Sequence, residues 1–209
     1  MLHGQIRMGA TGHHLHWAVA GASKFPDRDS GDGHMIVQGT DKIVFAVVDG
    51  SGSGPKAAAA TDMCLTALQS AIHDRLESDF EACHNCMKQN RGAAMGIAHV
   101  DIGTGVMSWA SVGDVYGVRY RDSLDPRGRS TIILRRPGIL GVRYDGILPQ
   151  RLPLAPGDVV VLSTDGITQD FGHRVCQSNS AEDLAELILT GHGKPADDSL
   201  VLVIDVRTS

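Results

Sequence analysis

Aromatic residues are scarce, at 4% of a 209-residue chain. The core must therefore be built from Val, Ile, Leu, Ala and Met, a composition that suits a large sheet. Long hydrophobic runs are missing as well: no stretch approaches the roughly 20 apolar residues that a membrane-spanning helix requires. Residues 1–7 hold no continuous hydrophobic signal segment, so a cytoplasmic protein without a membrane partner is expected. Four cysteines are too few for a disulfide framework in a chain of this length. There is no excess of basic charge either. Nineteen Lys and Arg against 24 Asp and Glu give a net charge of -5, so no global basic field favours nucleic acid, and Arg135-Arg136 is only a local pair. What remains is 42% hydrophobic content with ordinary charge, enough for one core and one domain spanning residues 1–209.

Along the chain, the apolar run 43–48 closes on Asp49-Gly50, as expected of a strand buried on both faces. Ser51-Gly52-Ser53-Gly54 then makes a turn, and Pro55 suits the first turn of a helix. Cys64, Leu68, Ile72 and Leu76 recur every four residues beyond it, with Leu65 beside them. Ser78 followed by Glu81 reads as a capping box for a second helix that carries Phe80, Cys83 and Met87 on one face. Strands are predicted over 93–100, 106–112, 115–120 and 131–134 as an antiparallel meander, with a polar hairpin loop over 122–129. Segment 137–156, interrupted by Gly138, Gly141 and Gly146, reads as a mobile loop near a site. A strand over 158–163 leads to Asp165-Gly166. A helix over 181–189 starts near Ser180 and Asp183 and turns Leu184, Leu187 and Ile188 inward, and a last strand covers 200–206. The fold class is α+β: a central two-sheet antiparallel β-sandwich flanked by helices, an α-β-β-α arrangement with the acidic turns at one edge.

Those acidic turns are the candidate chemistry. Asp49, Asp165 and Asp197 each adjoin a strand end, and Asp32, in Ser30-Gly31-Asp32-Gly33, is a fourth member. Carboxylates brought together repel unless protons or cations neutralise them, and divalent metals do so while holding hydroxide and phosphate oxygens. A pair of ions about 3.5–4 Å apart activates water for attack on phosphorus. Gly50, without a side chain, lets its carbonyl come close to such an ion.

Taken in order, Gly-Asp, strand-Asp-Gly-Ser-Gly, Gly-Asp-strand-Ser-Thr-Asp-Gly and Asp-Asp-strand make the chain resemble the metal-dependent serine/threonine protein phosphatases (the PPM superfamily), in particular their SpoIIE/RsbX-type branch. Segments 87–94, 111–115 and 137–141 look like RsbX-type segments in the same order, and the resemblance runs from about residue 31 to residue 206. It implies two divalent cations, Mn²⁺ or Mg²⁺. Asp49 would bridge both, Gly50 would give its carbonyl, and Asp165 and Asp197 would ligate the second, with Asp198 as the adjacent alternative to Asp197. Asp32 would hold water near the first ion. Asp49 and Asp165 would be the catalytic carboxylates, acting through the activated water. The implied substrate is a phosphoserine or phosphothreonine protein, for RsbX-like members a phosphorylated STAS-domain or stressosome-type protein. The alternative is an inactive phosphatase fold that binds a phosphoprotein partner. Larger relatives carry a phosphate-gripping arginine near the first acidic motif; Arg28 lies close in sequence, with its role open. The final motif reads Asp-Asp-Ser-Leu, placing a hydroxyl one position earlier than the relatives do.

Other motifs have plainer readings. Cys83-His84-Asn85-Cys86 lies in a predicted helix without a second Cys/His pair, so helix packing by Cys83 is expected rather than zinc. His13, His14 and His16 fit a polar surface strand or loop. Gly54-Pro55-Lys56 breaks any resemblance of 51–54 to a phosphate-binding loop. Asp114 is read as capping a tight strand turn in preference to joining a metal site.

Overall fold

Ile43, Phe45 and Val47 face one side of the strand Lys42–Gly50, whereas Val44, Ala46 and Val48 face the other, and both sets are buried. That two-sided burial is why the run is continuously apolar. The structure is a computed structural model that describes residues 1–9, 12–70, 75–121 and 129–208. In chain order the elements are β1 (Leu2–Arg7), β2 (His14–Ala22), β3 (Asp32–Gln38), β4 (Lys42–Gly50), α1 (Pro55–Ser70), α2 (Leu76–Met87), β5 (Ala93–Asp101) and β6 (Val106–Val112). Then follow β7 (Tyr116–Tyr120), β8 (Ser130–Ile132), β9 (Gln150–Pro153), β10 (Val159–Ser163), α3 (Gly172–Val175), α4 (Ala181–His192) and β11 (Ser199–Arg207).

Two antiparallel sheets result, ordered β1-β2-β11-β10-β7-β8 and β3-β4-β5-β6-β9. Between them lies a core that includes Leu15, Phe45, Trp109, Leu162, Leu202 and Ile204. α1 and α2 cover the outer face of the second sheet through Cys64, Leu68, Phe80 and Met87. α3 and α4 cover the first through Val175, Leu184 and Ile188. This is the expected α-β-β-α sandwich. No helix among the described residues is long and apolar enough to cross a membrane.

Several local expectations are corrected. Leu76 does not extend α1; it opens α2 as a buried residue. Ile72 lies outside the described residues. Ser78 is therefore inside α2, whose N-cap is Arg75 without a side-chain bond, so no capping box forms. The hydrophobic anchor Leu76 decides the start. Leu187 turns outward at 36% exposure, because the buried stripe of α4 is set by Ala181, Leu184, Ala185 and Ile188. Ser180 does cap α4, its side chain accepting from the Asp183 backbone N–H.

The predicted meander is broken between β6 and β7, where the chain steps from one sheet to the other. Gly113 makes the step possible with φ 84°, and Ser111 Oγ donates to the Val115 carbonyl at 2.9 Å. Segment 137–156 is no free loop. Leu140 is fully buried and pairs with Ala93, and β9 pairs with β6. Residues 122–128 of the predicted hairpin loop lie outside the described residues.

Candidate metal centre

Side-chain parity carries the acidic residues to one place. On β4 the core-facing positions 43, 45 and 47 continue to Asp49, which leaves the sandwich at the end where β3 begins, and Asp32 stands opposite it in register. On β10 the core-facing positions 160 and 162 continue to Thr164, whose hydroxyl reaches across to the other sheet and donates to Asp32 Oδ2 at 2.6 Å. Asp165 follows at the exposed lip, near enough for its charge and that of Asp49 to act on each other.

Electrostatics mark the group as strained without a counter-ion. Burial, then the charges of Asp32, Asp165, Asp197 and Asp114, pushes Asp49 up to about 8. Asp32 is raised to about 7, mainly by burial and further by Asp198, Asp165 and Asp197, with the Thr164 bond opposing. Asp165 is raised by burial and by Asp197, against the pull of Lys194. Among the described residues no three His, Cys, Asp or Glu side chains already form a closed ligand set.

The neighbours Asp197 and Asp198 do different things. Asp198 is buried and spends its carboxylate on the protein: Oδ1 accepts from Ser23 Oγ at 3.2 Å and the Lys24 N–H at 2.8 Å, and Oδ2 accepts from the Gly31 N–H at 2.9 Å. It ties segment 23–31 to the start of β11. Asp197 is half-exposed and adds its charge to Asp32, Asp49 and Asp165. Ser199, the displaced hydroxyl, donates to the Gly166 carbonyl at 2.9 Å and so fixes the Asp165 turn.

Gly50 has a use beyond an open carbonyl. A Cβ there would run into the Ala57 carbonyl and stand 2.7 Å from Thr61 Oγ1, so its absence lets the first turn of α1 close on the strand end. Thr61 itself donates to the Gly31 carbonyl, which also receives the Gly50 N–H at 3.0 Å. Arg28 is exposed and its guanidinium stands 5.1 Å from the Phe25 ring centre, a cation–π contact on the same surface loop.

Two residues passed over in the sequence, Thr164 and Lys194, reach the site, as does Asp114, which was read there as a turn cap in preference to a site member. Thr164 was legible from the parity of its strand. Asp114 does occupy the turn after β6, yet its charge reaches both Asp49 and Asp165, because Gly113 packs on Ala94, the register partner of Asp49. Lys194 had no sequence signal: its Nζ donates to the Asp165 carbonyl only because the loop after α4 folds back. Asp114, Arg135, Asp165, Thr168, Gln169 and Lys194 line a cleft of about 450 Å³ beside the acidic group. A larger cleft of about 530 Å³, around Lys42, His99 and Asp101, lies at the opposite end of β4 and β5. The other motifs are structural: Cys83 is fully buried and its thiol contacts the Cys64 carbonyl at 3.6 Å, and His14 and His16 lie half-exposed on β2.

The family model for Stage II sporulation protein E (SpoIIE) matches residues 39–207. This chain belongs to the SpoIIE family. The phosphoserine phosphatase RsbX of Bacillus subtilis (strain 168) is 24% identical to this SpoIIE-family chain over 156 residues, covering 74% of this chain and 76% of RsbX. A crystal structure of RsbX in complex with magnesium superposes with a TM-score of 0.82 at 20% identity, covering 98% of this chain and 100% of RsbX. A chain solved in work on "the bacterial stressosome: a modular system that has been adapted to control secondary messenger signaling" also gives 0.82, at 27% identity over 91% of this chain and 98% of its own. The PP2C phosphatase domain of SpoIIE from Bacillus subtilis gives 0.78 at 16% identity, covering 91% of this chain and 63% of that one. The fold of this SpoIIE-family chain is thus of the PP2C/PPM phosphatase type.

Proposed function

We propose that this protein is a divalent-metal-dependent phosphoprotein phosphatase acting on phosphoserine or phosphothreonine in a STAS-domain or stressosome-type partner. One observation carries the reading: Asp32 and Asp49 from one sheet and Asp165 from the other converge, with Asp197 close enough to add its charge to all three. Membership of the SpoIIE family and likeness to a phosphoserine phosphatase support it.

The donors are all oxygens, the hard set that Mg²⁺ and Mn²⁺ prefer. Two ions would be held by Asp49 in common, with Asp165 and Asp197 serving one, and Asp32 and the Gly50 carbonyl serving the other. Bound there, such ions supply Lewis acidity, lowering the pKa of water and offsetting phosphate charge. The chain's own residues orient the donors: Thr164 fixes Asp32 from the opposite sheet, Ser199 fixes the Asp165 turn, and Asp198 holds the loop that leads into Asp32.

The deciding experiment is phosphate release from a phosphoserine STAS-domain protein with Mn²⁺ or Mg²⁺, repeated with EDTA and with Asp49→Asn and Asp165→Asn. Turnover is expected only with metal and only with both carboxylates. Undiminished turnover in EDTA or in either variant overturns the reading. Tight binding by the wild type without turnover makes the chain a phosphoprotein-binding module instead.

A further inference from the structure

A phosphate dianion approaching this centre meets a wall of carboxylates, and its approach must be made favourable by cations. Within the cleft beside Asp165, the cationic side chains among the described residues are Lys194 and Arg135. Arg28, the sequence candidate for gripping phosphate, is instead stacked against Phe25.

Lys194 is held in place by backbone as well as side chain. Its N–H donates to the Gly166 carbonyl at 2.8 Å, its carbonyl accepts from the Asp197 N–H at 3.1 Å, and its Nζ donates to the Asp165 carbonyl. The residue therefore joins the two acidic turns at 165 and 197, with its ammonium at the Asp165 turn. One of its three donors is used on that carbonyl, which leaves two.

Arg135 lines the same cleft. Its guanidinium pairs with Asp114 at 3.7 Å; the Asp114 side chain is largely solvent-facing and that of Arg135 is 40% exposed. Such an exposed pair is weakly held. A guanidinium fork binds phosphate oxygens in two places at once, so exchange of Asp114 for a phosphate dianion is favourable.

We infer that Lys194 and Arg135, which line this cleft together, grip the phosphate oxygens of the phosphoserine substrate. The inference rests on the phosphatase reading above. Both are binding residues for the phosphate, and Lys194 additionally positions the Asp165 turn.

The test uses Lys194→Gln, Lys194→Arg and Arg135→Gln in the full chain at saturating Mn²⁺. Three quantities are read: KM and kcat for a phosphoserine peptide, inhibition by inorganic phosphate, and anisotropy of the labelled peptide, which needs no turnover. Lys194→Gln should raise KM and the phosphate inhibition constant by about tenfold, the scale of one charge-assisted hydrogen bond, with a smaller change in kcat. Arg135→Gln should act in the same direction by about threefold or more, and Lys194→Arg should restore most of the loss. A role confined to bracing Asp165 would shift the Mn²⁺ concentration needed for activation and leave phosphate inhibition alone, and that result overturns the inference. Values within about twofold of wild type in both Gln variants overturn it too. If the wild type shows no turnover, the phosphatase reading falls and anisotropy decides the inference. Weaker peptide binding in both Gln variants then sustains it; equal binding, or none by the wild type, overturns it.

Discussion

Asp32 and Asp49 stand directly opposite each other on β3 and β4, a like-charged cross-strand pair at the mouth of the sandwich. Such pairs are destabilising when both members are ionised. Their cost should be visible in the metal-free protein. Both folded-state pKa values, about 7 and about 8, lie above the ordinary 3.8, so the protonated forms favour folding. That contribution is complete below the ordinary value and is lost as pH rises through 7 and 8. In EDTA the melting temperature should fall between about pH 5 and pH 8.5, and Mn²⁺ should remove the fall. Asp49→Asn should flatten the EDTA profile and stabilise the metal-free protein at pH 8.5 by roughly 1–3 kcal/mol. A wild type whose melting temperature in EDTA is flat or rises across that window would contradict the argument.

Adjacent aspartates should separate cleanly in their effects. Asp198→Ala removes the acceptor of three hydrogen bonds and strands the buried Gly31 N–H, so it should cost about 2–4 kcal/mol in urea denaturation. Asp197→Asn keeps an oxygen for the Asp198 N–H, which in the wild type donates to Asp197 Oδ1 at 3.0 Å. Its stability should change by less than about 1 kcal/mol, while Mn²⁺-dependent turnover drops by about a hundredfold or more. The reverse pattern would place the metal-facing carboxylate at Asp198.

Two glycines of one loop should differ for a steric reason. Gly50→Ala drives a methyl into the Ala57 carbonyl and Thr61 Oγ1, so α1 must shift, at about 2–4 kcal/mol. Gly54→Ala meets nothing within 4 Å and carries only the strain of φ 73°, about 1 kcal/mol. Equal losses in chemical denaturation would show that the packing of α1 on the strand end is not what Gly50 protects.

The sandwich was legible in the sequence because its central strands are buried on both faces, which forces the unbroken apolar runs at 43–48 and 200–204. Asp49 and Asp165 were legible as candidates because each follows a strand of that kind, and Asp32 because of its Ser-Gly-Asp-Gly setting. The errors fell where local pattern and tertiary packing disagree. A four-residue spacing carried Leu76 into the wrong helix, a capping-box pattern at Ser78 gave way to the anchor at Leu76, and Leu187 had the composition of a core residue on an exposed face. Lys194 was out of reach, and Asp114 was read as a turn cap in preference to a site member, for a different reason: both arrive at the site through turns, and nothing in local periodicity says which way a turn folds.

Thr164 joins the sandwich to the site, and its substitution should report on both. The hydroxyl donates to Asp32 Oδ2 at 2.6 Å and accepts from the Leu200 N–H at 2.9 Å. Thr164→Val keeps the shape but leaves the Leu200 donor buried without that acceptor, which should cost about 1–3 kcal/mol. Asp32 would also lose the one contact that opposes the rise in its pKa. Its carboxylate would then be harder to ionise and less firmly oriented, so the Mn²⁺ concentration for half-activation should rise by about tenfold, the lower end expected when an outer-shell partner is removed. Thr164→Ser retains the hydroxyl and should recover most of both losses. The pair is measured by denaturation in EDTA and by Mn²⁺ titration of turnover. If Val and Ser behave alike in the titration, the hydroxyl has no part in setting Asp32 for metal, and the link from the β10 strand to the centre fails.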